Sequence, residues 1–127
     1  MTEKTQQSVA NLGYHAHIYY DAATRPKVQH LAWSAIEQLP IEVGGFSDEP
    51  DGPHPVGNLQ FAFTPAEFAS VVPWLMMNRD GLSVLVHPLT GDMARDHDAQ
   101  ALWLGTPLAL RPHSHVAGQH THSSSLP

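Results

Sequence analysis

Four short segments of this chain alternate residues of opposite character, and two helical segments separate them in the order β-α-β-β-α-β. The strand segments are Tyr14–Tyr20, Ile41–Phe46, Gly57–Phe63 and Leu82–His87. In an extended strand, residues two apart share a face. One parity collects Ala16 and Ile18, Ile41 and Val43, Leu59, Phe61 and Phe63, and Leu82, Val84 and Val86. The other collects His15, His17, Tyr19, Glu42, Asn58, Gln60, Ser83, Leu85 and His87. A sheet built from these strands therefore has one apolar face and one polar face rich in histidine.

The apolar face needs cover, and the helical segments supply it. Between Thr24 and Gln38, Val28, Leu31, Ala32, Ala35 and Ile36, with Leu39 just beyond, recur at helical spacing. Pro26 falls in the first turn, where its missing N–H costs nothing, and Pro40 lies just past the end. Thr64-Pro65-Ala66-Glu67 has the form of a helix start. The helix it opens extends to about Arg79, turns Phe68, Val71, Val72, Leu75 and Met76 inward, and is expected to kink at Pro73. Trp74, Met76 and Met77 read as core. A further short helix is expected around Asp96–Leu104, with Trp103 on its apolar side. The element order is that of a ferredoxin-like α+β domain: a four-stranded antiparallel sheet with strands in the order fourth, first, third, second, both helices on one face, and a C-terminal helical appendage.

Composition bounds what such a domain does. At 127 residues the chain is sized for one domain. We divide it into a polar arm (1–12), the folded domain (13–111) and a tail (112–127) rich in His and Ser. A net charge of -6 argues against a nucleic-acid partner. No apolar run approaches the roughly 18 residues of a membrane span. MTEKTQQSV has no apolar core of a secretory signal, so the default location is cytoplasmic. There is no cysteine, hence no disulfide framework, thiol nucleophile or cysteine-based zinc site.

Ten histidines are the unusual feature. Neutral imidazole is the commonest side-chain metal ligand. In the expected strand order the fourth strand runs antiparallel beside the first, so His87 comes close to His15 and His17. Strands about 4.8 Å apart and metal–nitrogen bonds of about 2.1 Å allow the three to converge on one ion. Histidine with oxygen ligands and open positions suits Fe(II), with Zn(II), Mn(II) or Cu(II) following by affinity. Glu42 shares the face, though on the far edge strand, and Glu49 lies in a turn-rich loop; either a carboxylate joins the histidines or the site is all-histidine. His54, held between Pro53 and Pro55, is stiffly presented and suits an acid/base or substrate contact, as does His97. His113, His115, His120 and His122 sit in the tail and read as non-catalytic. A plainer reading, compatible with metal binding, makes the histidine face, with Tyr19 and Leu85 exposed on it, a dimer interface.

The segments YHAHIYYD (14–21), DEPDGPHPVGNLQFAF (48–63), LSVLVHPLTGD (82–92) and DHDAQALWLG (96–105) resemble the DOPA 4,5-dioxygenase family over residues 12–111. The resemblance implies an often dimeric domain that cleaves the ring of a catechol such as L-DOPA beside its hydroxyls (extradiol cleavage), using O2 and non-haem Fe(II), with Zn, Mn or Ni able to substitute. Its motif histidines fall on His15, His17, His54, His87 and His97. On this reading His15, His17 and His87 hold the metal, His54 and His97 manage protons, and Tyr19, Asn58 and Gln60 line the substrate pocket. Asp51 and Asn58 depart from the family pattern, at positions where a small apolar and a larger residue are usual. Two rival readings share the same histidines: a non-catalytic module binding a small aromatic ligand, and a zinc-dependent lyase or isomerase.

Overall fold

The computed structural model describes residues 12–112. Its elements are β1 (Tyr14–Tyr20), α1 (Arg25–Gln38), β2 (Glu42–Ser47), β3 (Gly57–Phe63), α2 (Phe68–Asn78), β4 (Val84–Pro88), α3 (Met93–Asp96) and β5 (Leu102–Leu104). They build an α+β fold on one sheet with strand order β2-β3-β1-β4-β5, every neighbouring pair antiparallel. The first four strands stand in the expected order. The strand count does not: the sheet has five strands, not four.

The correction falls on the C-terminal appendage. Asp92 caps a helix by accepting the Arg95 backbone N–H at 3.1 Å, so α3 starts at Met93 and lasts a single turn. The chain then extends, and Leu102-Trp103-Leu104 pairs with β4. The outer edge of β4 would otherwise leave a row of backbone groups unpaired. Leu104 turns into the core, while Trp103 lies opposite Leu85 on the histidine side.

One continuous core joins Val28, Leu31, Ala32 and Ala35 of α1 and Val71, Val72 and Leu75 of α2 to Ala16, Ile18, Leu59, Phe61, Phe63, Val84 and Val86 of the sheet. Both helices thus cover the apolar face. Ile36, Met76 and Met77 were expected inside, yet they are 55%, 54% and 83% exposed, because they point off the outer sides of the helices. Trp74 packs against the core, its indole N–H donating to Gln38. α2 continues through Pro73, whose ring is exposed. In β2 an extra residue between Val43 and Phe46 shifts the register against Phe61 and Leu59. This bulge at Gly44-Gly45 returns Phe46 to the core side, which strict alternation from Val43 would have denied it.

No helix among the described residues is long and apolar enough to cross a membrane. Leu104→Ala is expected to cost about 2–4 kcal/mol of unfolding free energy. Urea denaturation checks this; a loss below about 0.5 kcal/mol would show that β5 does not seal the core.

Candidate metal centre

The β1–β4 register sets His15 directly opposite His87, with His17 next along the same face of β1. Two further histidines arrive from outside the sheet. A tight turn holds His54: its backbone exchanges two hydrogen bonds with Asp51 across Gly52-Pro53, where Gly52 takes a positive φ of 55°. Upstream of that turn, Asp48 accepts hydrogen bonds from the Tyr20 hydroxyl and from Arg25 Nε. His97 follows α3. Asp96, buried, fastens that turn to the loop after β4 by accepting from the Thr90 backbone N–H at 2.9 Å and from its hydroxyl.

The His54 ring lies 4.1 Å from that of His17, and the His97 ring 4.1 Å from that of His87, centroid to centroid. These segments close the polar face. His17, His54, His87 and His97 are buried, and so are Tyr19 and Leu85. The expected exposure of Tyr19 and Leu85 is therefore overturned: the chain covers the face with its own loops.

The hydrogen bonds fix which nitrogen carries each proton. His17 Nδ1–H donates to Asn58 Oδ1 at 2.9 Å, and His87 Nδ1–H donates to the Pro88 carbonyl at 2.8 Å. A neutral imidazole has one N–H, so both Nε2 atoms present lone pairs. These atoms face each other at 3.2 Å. Protonating one ring would turn the contact into a hydrogen bond, but burial opposes it. Burial holds His87 down at about 4. It holds His17 well below its ordinary value, aided by the neighbouring His54 and His87. A cation relieves the conflict. Nitrogens each about 2.1 Å from one ion stand about 3.0–3.4 Å apart at angles between octahedral and tetrahedral, which fits the spacing found here.

His15 completes this group, its nitrogen within 4.8 Å of those of His17 and His87. Its Nδ1 is buried without a hydrogen-bond partner, and burial, then His97, lowers its pKa to about 4. His17 also belongs to a second group with His54 and His97. Both groups consist of histidine alone among the described residues. Glu42, on β2 opposite Ala62, and Glu49 are exposed and join neither.

His54 differs from the other rings. Its Nδ1 lies 2.7 Å from the Tyr19 hydroxyl. Burial pushes Tyr19 ionisation upward, so the hydroxyl keeps its proton and donates it to Nδ1. The His54 proton then resides on Nε2, which is buried without a partner. Burial, reinforced by His97 and His87, holds this ring far below its ordinary pKa, hence neutral. His97 donates its Nδ1–H to the Met93 carbonyl at 2.9 Å.

Of the residues singled out in the sequence, His15, His17, His54, His87, His97 and Tyr19 meet in one place. Asn58 is buried behind His17 as its hydrogen-bond partner, and half-buried Gln60 lies opposite His17 in the strand register. Trp103, stacked on Tyr19 at 5.8 Å, and Arg111, bonded to the Gly52 carbonyl, also belong to this neighbourhood. Neither was expected there. A three-residue apolar run does not separate strand from helix, and a lone arginine carries no signal. His113, His115, His120 and His122 lie outside the described residues.

An α+β domain that gathers five imidazoles, four of them buried, at one sheet face, with bare nitrogens converging, is a candidate metal-dependent enzyme. The model of the Dopa 4,5-dioxygenase family matches residues 14–114, and the chain belongs to that family. It is 47% identical over 62 residues to DOPA 4,5-dioxygenase of Amanita muscaria, covering 49% of this chain and 27% of that protein. It is 36% identical over 109 residues to an uncharacterized 21.2 kDa protein of Botryotinia fuckeliana, covering 76% of this chain and 60% of that one. The chain thus spans less than two thirds of either curated relative. A crystal structure of a provisionally named dioxygenase from Nostoc punctiforme superposes with a TM-score of 0.82 at 42% identity, covering 90% of this chain and 97% of that one.

Asn58→Ala, which removes the acceptor that holds His17, is expected to weaken metal binding about 10–100-fold while leaving the fold intact. Titration calorimetry with Zn(II) and circular dichroism check it. A second expectation concerns pH. His15 and His87 have folded-state pKa values of about 4, below the ordinary 6.5. Between these values the unfolded chain binds more protons, so stability rises with pH across the window. The metal-free protein should therefore lose melting temperature as pH falls from about 6.5 toward 4, in thermal melts across that range. A flat profile would contradict the burial of these rings.

Proposed function

We propose that this protein is an iron-dependent extradiol dioxygenase that opens the ring of a catechol such as L-DOPA or a related aromatic acid with O2. The observation that carries the reading is the pair of facing Nε2 lone pairs on His17 and His87, with His15 beside them. His15, His17 and His87 would hold Fe(II). When bound, the iron supplies Lewis acidity that lowers the catechol pKa and brings ring and oxygen together.

The chain's own residues do the rest. Asn58 and the Pro88 carbonyl hold the ligand rings in the tautomer that leaves Nε2 bare, the usual outer support of a metal-bound histidine. His54, accepting the Tyr19 hydroxyl at Nδ1, keeps its proton on Nε2 and would donate a hydrogen bond from there to a substrate oxygen on which charge develops as the ring opens. His97 lies beside both sets of rings and shares the proton traffic. Tyr19 and Gln60 line the approach to the substrate, and the covering loops exclude water from it. A homodimer would find apolar surface on the helix side of the molecule, where Trp33, Ile36, Met76 and Met77 are exposed.

The test is anaerobic Fe(II) reconstitution followed by L-DOPA or caffeic acid, with oxygen uptake and absorbance recorded. Wild-type protein should consume O2 and form a yellow ring-cleavage product, and His17→Ala should do neither. His54→Ala should bind iron normally yet lose about 10²–10³-fold in kcat. Stoichiometric iron with no oxygen uptake on any of several catechols would overturn the enzyme reading.

A further inference from the structure

A cavity of about 460 Å³ adjoins the histidine cluster, lined among others by Pro53, His97, Trp103, Leu110 and Arg111. It shares His97 with the cluster, and its Trp103 wall continues through the stacked Tyr19 to His54. An aromatic ring lying against Trp103 therefore has a continuous path to the buried imidazoles.

Arg111 stands at this cavity in an unusual state. Its Nε and Nη2 both donate to the Gly52 carbonyl, at 3.0 and 2.8 Å, and its backbone N–H donates to the Pro53 carbonyl at 2.8 Å. One edge of the guanidinium is thereby fixed to the turn that carries His54. Nη1 makes no hydrogen bond among the described residues, and no carboxylate there pairs with Arg111. Arg25 and Lys27, by contrast, both pair with aspartates. Asp98 lines the same cavity, exposed, but forms no ion pair with Arg111. A half-buried, pre-oriented cation without an anionic partner, beside an aromatic wall, is suited to a planar carboxylate, which a guanidinium binds by charge-assisted hydrogen bonds.

We propose that Arg111 is the carboxylate anchor of the substrate site, so that the protein selects aromatic acids, the ring directed past Trp103 to the histidines and the carboxylate held at Arg111. This rests on the aromatic-substrate reading above and narrows it: a neutral catechol would reach the same histidines without the anchor. Arg111 also acts as a positioning residue for His54, through Gly52.

The experiment separates binding from turnover. Metal-free wild-type protein is titrated by calorimetry with 4-hydroxycinnamate, which has no catechol to oxidise, and with its methyl ester. The acid should bind about tenfold or more tightly than the ester, the worth of one charge-assisted hydrogen bond. In Arg111→Gln the two affinities should converge, and Arg111→Lys should restore part of the gap. On the iron-loaded enzyme, Arg111→Gln should raise KM for caffeate about tenfold and leave KM for 4-methylcatechol unchanged.

Equal wild-type affinity for acid and ester, or no binding of either, overturns the anchor, and this needs no variant to fold. An Arg111→Gln protein that keeps the acid–ester gap, or whose only change is an equal loss of kcat on both catechols, also overturns it and leaves only the support of Gly52. If the metal-free protein discriminates acid from ester while no catechol is ever turned over, the carboxylate site stands and the dioxygenase reading falls.

Discussion

Two buried imidazole nitrogens, both lone-pair donors, face each other 3.2 Å apart, and the rest of the site is organised around that contact. In an apolar interior, unsatisfied polar atoms are costly and facing acceptors costlier still. The chain nonetheless commits the opposite nitrogens of both rings to oxygen acceptors, which blocks the tautomer change that would relieve the contact. Burial closes the other escape, protonation. What remains is a site whose stability rises when a cation enters it.

The fold serves this contact in two ways. The β1–β4 register brings His15, His17 and His87 together on the rigid centre of the sheet, so their spacing follows from backbone pairing and not from loop conformation. The covering segments then bring chemistry of a different kind. The turn Asp51–His54, clamped by Arg111, lays His54 over His17 with its proton on the far nitrogen. The short helix α3, tied down by Asp96, sets His97 over His87. Bare nitrogens come from strands and a proton-bearing nitrogen comes from a loop. In the proposed function, that division would let one cluster of imidazoles provide both ligands and a hydrogen-bond donor.

Much of this was legible in the residues. Period-two alternation placed His15, His17 and His87 on one face, because strand parity is insensitive to the rest of the fold. The proline-flanked His54 announced a stiff presentation, though not its partner Tyr19. Less legible were features decided by tertiary context. Leu102–Leu104 follows a helical turn and became a strand because β4 had a free edge. The Phe46 side chain reached the core through a bulge that alternation does not foresee. Met76 and Met77 are apolar, yet they point away from the sheet, since α2 has only one face against it. Arg111 took its place through backbone carbonyls that no pattern in the chain encodes.

The most direct test of the central claim is the tautomeric state of the histidines, read by long-range proton–nitrogen NMR on 15N-labelled metal-free protein at neutral pH, before and after one equivalent of Zn(II). The account predicts that His17 and His87 are both protonated at Nδ1 and bare at Nε2, and that zinc shifts their Nε2 resonances while Nδ1–H persists. A proton on Nε2 of either ring in the metal-free protein, or Nε2 signals indifferent to zinc, would contradict it.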